Sequence, residues 1–174
     1  MEYIKKLGNN DYDKFKKIFT VFEKEPFYEA WTEQNYNDEF NDFIENGEIY
    51  GIFIKNEICG LVTIKAKYKK WEELDLDIEK SIYLSDIAVS KDKRNNGYAT
   101  KLMKYIILEF GNSFDIYMRT NLENSMSEGI AIKNGFEIID GKIETVSFKR
   151  TRDDIPEIDK RKYLIRKRTS NNLY

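Results

Sequence analysis

Histidine is missing from all 174 residues. That removes the commonest general base at neutral pH and the commonest transition-metal ligand. The single cysteine, Cys59, cannot close an internal disulfide, which fits a reducing compartment. Cys59 reads as a small buried hydrophobe rather than a nucleophile. Two prolines and nine glycines leave no flexible linker, and no internal repeat is present. No apolar run approaches the ~18 residues of a membrane span. The opening Met1-Glu2-Tyr3-Ile4-Lys5-Lys6 is not a signal peptide, so the expected location is cytoplasmic with no membrane partner. A net charge of −2 with 34% charged residues argues against a general nucleic-acid binder. What is present is 41% hydrophobic and 14% aromatic, enough for an ordered core. At this length the expectation is one domain over residues 1–174. Chemistry must come from Asp, Glu, Tyr, Ser, Cys, Lys, backbone or water, and no metal is expected.

The chain alternates between two periods. Glu2–Leu7 reads as a short strand. Asn10 or Asp11 caps a helix with Phe15, Ile18, Phe19 and Phe22 on one face. Glu25-Pro26 breaks it, and a second helix over about Asn35–Glu45 ends at Asn46-Gly47. Glu48–Ile54 and Ile58–Ala66 form a hairpin across Lys55-Asn56-Glu57. Tyr68–Lys80, with Trp71, Leu74 and Leu76, reads as a loop containing a helical turn. Phe114–Thr120 is a strand, followed by a short helix to about Lys133 that stops at Asn134-Gly135. Phe136–Ile139 starts a strand and Asp140-Gly141 is a turn. Ile143–Lys149 and Lys162–Lys167 both have strand character, and one of them is expected to complete the sheet. Interleaved helices and hairpins predict an α/β protein with a mixed (α+β) sheet of about six to seven strands and about four helices.

The most informative stretch is Ser81–Lys104. Ile82–Val89 is an apolar strand, Lys91–Asn96 a charged turn, and from Gly97 the residues Ala99, Leu102, Met103, Ile106 and Phe110 follow helical spacing. A strand entering a helix through a glycine turn can hold an anion on the free N–H groups of the first turn.

Three features together resemble the GNAT superfamily of N-acetyltransferases. Arg94-Asn95-Asn96-Gly97-Tyr98-Ala99 fits that family's Arg/Gln-x-x-Gly-x-Gly/Ala loop. The loop lies between the strand Leu84–Val89 and an amphipathic helix. Downstream, Asn124, a short helix and Asn134-Gly135-Phe136 are similar to the family's second cofactor-contacting segment. The likeness covers roughly residues 48–140 well and the first two helices more loosely. It implies that acetyl-coenzyme A is the co-substrate. It also implies that the backbone of Asn95–Thr100, with Arg94, Tyr98 and Ala99 in that loop, wraps its pyrophosphate. By the same likeness Ile87, Ala88 and Val89 pair with the pantetheine arm, Asn124 bonds it, and the strand splays from its neighbour to admit the thioester. Taken singly, Ile87 and Val89 read as core, Arg94 as a solvated charge, Gly97 as a helix-start glycine and Asn124 as a cap.

Aminolysis of a thioester needs a neutral amine, and an alkyl ammonium near pKa ~10 must first lose a proton. Asp86 is the candidate base or amine-binding group; the alternative is a structural Asp capping a loop or pairing with a cation. Strand alternation puts Asp86 and Ala88 opposite Ile87 and Val89. Where many family members carry a tyrosine acid, counting back from Gly135 gives Ala131. Either Ser127, one turn earlier, or water serves as the acid instead, or the chain is catalytically weak. The first two helices offer Glu23, Glu25, Tyr28, Glu29, Trp31, Glu33 and Tyr36, a mix suited to a cationic amine or simply a helix face with core aromatics. Lys149–Arg168 is locally basic but interrupted by Asp153, Asp154, Glu157 and Asp159, and reads as surface, with contact to a phosphate as the weaker alternative. The expected activity is acetyl transfer to the primary amine of a small molecule by direct attack. A weakly catalytic acyl-coenzyme A-binding module and a peptide or protein N-acetyltransferase remain alternatives. Family members are often dimers, which leaves a homodimer open.

Overall fold

A computed structural model describes residues 1–24, 31–66, 68, 73–147 and 158–169. Glu25-Pro26, Tyr28, Glu29, Trp71 and most of the 152–159 stretch, all singled out above, lie outside the described residues. The elements are β1 (Glu2–Lys6), α1 (Tyr12–Phe19), α2 (Glu33–Asn46), β2 (Gly47–Ile54), β3 (Glu57–Ala66), β4 (Ser81–Val89), α3 (Tyr98–Phe110), β5 (Asp115–Asn121), α4 (Ser125–Lys133), β6 (Glu137–Ser147) and β7 (Ile158–Arg166). All seven strands form one sheet in the order β1-β2-β3-β4-β5-β7-β6. Every pairing is antiparallel except β4 with β5.

Local chemistry accounts for most boundaries. Thr32 caps α2: its hydroxyl accepts from the Asn35 N–H, and Asn35 returns a bond to the Thr32 N–H. Lys55 and Asn56 both adopt left-handed backbone, with φ of 49° and 67°, and form a two-residue hairpin turn. Both tail segments join the sheet. Ile143 continues β6, and β7 inserts between β5 and β6. The expected turn at Asp140-Gly141 is instead an irregularity within β6, where Gly141 has φ +70° and the register shifts between Ile138 and Ile143.

Gly47 ends α2 for a different reason from the expected one. Its backbone is extended, with no left-handed stop. A β-carbon there would sit 2.1 Å from the Ile64 carbonyl oxygen of β3. The glycine is therefore required by close strand approach. Gly47→Ala must push β2 from β3 at a cost of about 1–3 kcal/mol, as other overpacked sites do. Each kcal/mol should lower Tm by roughly 2–4 °C in a chain of this size. A thermal melt matching the wild type would refute this close contact.

The sheet separates its cores. One face packs α3 and α4 through Leu102, Met103, Ile106 and Ala131 against Val62, Ile64, Leu84 and Met118. The other face carries α1 and α2, with Phe15, Ile18, Phe40 and Phe43 over Ile49, Leu61 and Ala88. On that second face a smaller cluster joins Leu74, Leu76, Tyr83, Tyr117 and Tyr163. Cys59 is 1% exposed, its Sγ lies 3.4 Å from the Glu57 carbonyl, and burial pushes its thiol pKa up, so it is a core residue.

Candidate functional site

The parallel ladder between β4 and β5 is short. Ser81 pairs with Asp115, Ile82 with Ile116 and Tyr83 with Tyr117, and there the pairing stops. Beyond it β5 continues to Asn121 along β7, while β4 continues to Val89 along β3. The two strands therefore part, and the β5-facing edge of β4 from Leu84 to Val89 has no strand partner among the described residues. An open edge of this kind can accept an extended ligand as an added strand. Ile87, Ala88 and Val89 lie on it, opposite Val62, Leu61 and Gly60 of β3.

A bulge sets which side chains face the opening. Thr63 pairs with Asp86 but Ile64 pairs with Leu84, so Ser85 is the extra residue of β4. The bulge reverses the phase of the strand. Leu84 and Ile87 both pack into the α3 core, whereas Tyr83 and Ala88 belong to the clusters of the opposite face. Asp86 alternates with Ile87 and so falls on the face of Tyr83 and Ala88.

Asp86 is half-buried and accepts from the fully buried Thr63 Oγ1 at 3.0 Å. Burial raises its carboxyl pKa, and hydrogen bonds from Ser85 and Thr63, with the nearby charges of Lys65 and Arg119, oppose that rise. Among the described residues it makes no direct ion pair and no cap bond to a loop N–H. Lys65 is held by Asp42 at 2.6 Å and Glu39 at 3.4 Å, over the Phe43 ring. Burial also raises the Glu39 pKa, and the Asp86 charge adds to that rise.

At the end of β4 the chain turns through a 3-10 segment, Lys91–Lys93, into α3. Arg94 Nε donates to the Val89 carbonyl at 3.4 Å, and Asn96 Nδ2 donates to the Lys93 and Arg94 carbonyls. Asn95 and Gly97 are left-handed, with φ of 64° and 77°. Gly97 is the N-cap, so the helix starts one residue later than expected, at Tyr98. A β-carbon on Gly97 would meet nothing within 4 Å, so this glycine borders open space. The first-turn N–H groups of Tyr98, Ala99 and Thr100 have no backbone acceptor among the described residues, as expected of a helix start. Open space, a left-handed turn and unpaired N–H groups suit a phosphate group. Tyr98 packs on the α3 core, and the Lys101 ammonium stands 5.3 Å from its ring centroid.

Asn124 caps α4, its Oδ1 accepting the Ser127 N–H at 3.1 Å. Its Nδ2 is the end left to donate to a ligand. Ser127 is half-buried in the first turn, and Ala131 is fully buried in the core, so no hydroxyl stands at that position.

Of the residues expected to meet an acceptor on the first two helices, the described ones, Glu23, Trp31, Glu33 and Tyr36, are engaged elsewhere. Trp31 packs at a tilt on Phe19 and edge-on to Tyr36, and Tyr36 is buried with its hydroxyl donating to Glu23. Glu33 pairs with Lys16 and receives the Tyr12 hydroxyl at 2.7 Å, which helps raise the Tyr12 pKa, chiefly through burial, to about 12. The polar groups on Asp86's face come instead from later strands. Arg119 of β5 bonds Glu144 of β6 at 2.8 Å, and the Tyr163 hydroxyl of β7 donates to the same carboxylate at 2.7 Å. Tyr68 stacks on Tyr83 at 4.0 Å and lies under the Arg119 guanidinium. A lone arginine inside the apolar run Ile116–Thr120 was the signal in the sequence for this group.

A profile described as the acetyltransferase (GNAT) family matches residues 15–135. Among curated proteins no match is found. Solved structures agree in fold. An N-acetyltransferase from Staphylococcus aureus Mu50 shares 16% identity at a TM-score of 0.71, covering 94% of this chain and 97% of that one. The ribosomal-protein-S18-alanine N-acetyltransferase of Escherichia coli shares 13% at 0.70, covering 100% and 99%. A GNAT family acetyltransferase from Elizabethkingia anophelis with acetyl-CoA bound shares 17% at 0.63, covering 95% and 97%.

Proposed function

The chain belongs to the acetyltransferase (GNAT) family, and from that premise we propose that it transfers an acetyl group from acetyl-coenzyme A to a primary amine of a small molecule. The observation that carries this reading is the parting of β4 from β5 just beyond Tyr83, with Asp86 beside the gap and the Gly97 turn at the end of the same strand. Acetyl-coenzyme A supplies the activated acetyl group as a thioester. The N–H groups around Gly97–Thr100 and the positive end of α3 hold its pyrophosphate, an interaction of about 0.3–1 kcal/mol from the dipole alone. The open backbone edge at Ile87, Ala88 and Val89 and the Asn124 amide hold its pantetheine arm.

Asp86 Oδ receives the proton of the incoming ammonium. Its raised pKa, caused by burial, narrows the gap to the amine. With alanine at position 131, Ser127 Oγ is the hydroxyl on α4 that holds a proton for the departing sulfur. No activated nucleophile stands in the gap among the described residues, which favours direct attack. Neighbours of low identity include enzymes named for a ribosomal-protein alanine, yet they share the fold only, and the small-amine reading is kept.

The test follows free thiol release from acetyl-coenzyme A across a panel of amines and N-terminal peptides. Release with small amines is expected. Calorimetric binding of acetyl-coenzyme A without release from any member would instead identify a binding module, and release with peptides alone a peptide acetyltransferase.

A further inference from the structure

The second polar group on the acceptor face, around Arg119, has no part in the reading above. Arg119 reaches from β5 with its side chain 19% exposed. Its Nη1 is fixed by Glu144, and Glu144 is held in turn by the Tyr163 hydroxyl. The guanidinium lies 5.9 Å from the Tyr68 ring centroid, so its orientation is set from two sides. Its Nε and Nη2 groups have no partner among the described residues. Beside it, Tyr83 is 2% exposed and stacked on Tyr68. Its hydroxyl makes no hydrogen bond among the described residues and is not one of the fully buried unpartnered polar atoms there, so its oxygen reaches accessible space. Tyr83 and Asp86 lie three residues apart on one face of β4, and Arg119 stands over the Tyr68 ring that stacks on Tyr83, which gathers the three groups on that face. Burial keeps the phenol neutral and therefore able to donate. A cavity of about 390 Å³ adjoins the group, lined by Leu74, Lys142, Glu144 and Tyr163 among others.

Two sets of unmatched donors, one of them cationic, call for an anionic oxygen. A second ammonium would find its carboxylate, Glu144, already taken by Arg119 and Tyr163. Building on the acetyl-transfer reading, we infer that the acceptor is a small amine carrying a carboxylate. Its nitrogen meets Asp86, its carboxylate meets the free edge of Arg119 and the Tyr83 hydroxyl, and its remaining atoms occupy the adjoining cavity. Arg119 and Tyr83 are then the residues that select the substrate, since planar bidentate recognition of carboxylate is what a fixed guanidinium does well.

The experiment measures kcat and KM with acetyl-coenzyme A for the α-amino acids, β-alanine and 4-aminobutyrate. Each is set against its carboxamide and its decarboxylated amine. The best acceptor should be a carboxylate, favoured at least about tenfold in kcat/KM over its carboxamide, the factor one hydrogen bond to a charged group supplies. Tyr83→Phe removes one oxygen from a packed ring and should cut that preference by about tenfold, chiefly through KM. Arg119→Gln should abolish the preference and Arg119→Lys should restore part of it. A merely structural role for either residue would change all acceptors alike. Equal or better turnover of the carboxamides or plain amines overturns the inference, as does a preference that survives both Tyr83→Phe and Arg119→Gln. If acetyl-coenzyme A binds but no carboxylate-bearing amine releases thiol, the inference falls and the cofactor site stands. Failure of acetyl-coenzyme A to bind at all removes both.

Discussion

Gly97→Glu is expected to weaken acetyl-coenzyme A binding by at least about a hundredfold in calorimetry, with the fold retained. Three effects act together. Gly97 is left-handed at φ +77°, a conformation that costs a residue with a β-carbon about 1–2 kcal/mol. The new side chain would enter the open space at the start of α3, where no protein atom lies within 4 Å of a β-carbon. Its carboxylate would oppose an anion beside the helix terminus. Because the space is open, the fold pays only for the backbone, and Tm should fall by a few degrees. Gly97→Asn separates the causes, since asparagine tolerates the left-handed region and adds no charge. It should bind more weakly than wild type and more tightly than Gly97→Glu. Undiminished binding by Gly97→Glu would show that the pyrophosphate lies elsewhere.

The second large effect is on turnover. Asp86→Asn should lower kcat by about 10²–10⁴, the usual range for loss of a positioned base. The pH profile gives the sign. Burial raises the Asp86 pKa, so wild-type activity should climb as pH passes through a value above the ordinary carboxylate range, and that acid limb should vanish in the variant. Stability should move the other way. A carboxyl whose folded pKa lies above its unfolded pKa contributes stability that is fully present below the unfolded value. That contribution is lost as pH rises through the folded value. Once ionised, Asp86 is therefore a cost to the fold, and above its folded pKa Asp86→Asn should leave Tm level or raise it. A variant with a lower Tm and an unchanged pH–rate profile would make Asp86 structural.

The central strand-turn-helix was legible in the sequence because its signals are local. The change of period at Gly97, the loop from Arg94 to Ala99 and the stop at Asn134-Gly135 each lie within a few residues. The left-handed backbone at Gly97 and Gly135 is what those glycines are for. The reason for Gly47 was hidden, because the carbonyl it must avoid belongs to Ile64 on another strand. The bulge at Ser85 carries neither glycine nor proline to mark it. The placement of β7 between β5 and β6 depends on pairing residues far apart in the chain, as Arg119 does with Tyr163. For the same reason Arg119, Glu144, Tyr163 and Tyr83 each read as an ordinary strand residue. They become a group only when four strands are in register. Conversely, Trp31 and Tyr36 are aromatic and near acids in sequence, but helix packing turns them inward.

The short ladder between β4 and β5 also sets how the molecule holds together. On one side of it β1 to β4 are joined by antiparallel pairings, and on the other β5, β7 and β6 are bound by long antiparallel pairings. Between them the backbone contributes three residue pairs, Ser81 to Tyr83 against Asp115 to Tyr117, with the α3-side core laid across the join. Mechanically the sheet is two stiff plates on a narrow seam. A molecule lodged in the gap would clamp both plates, so the opening is also the fault line along which the empty protein would first part under load.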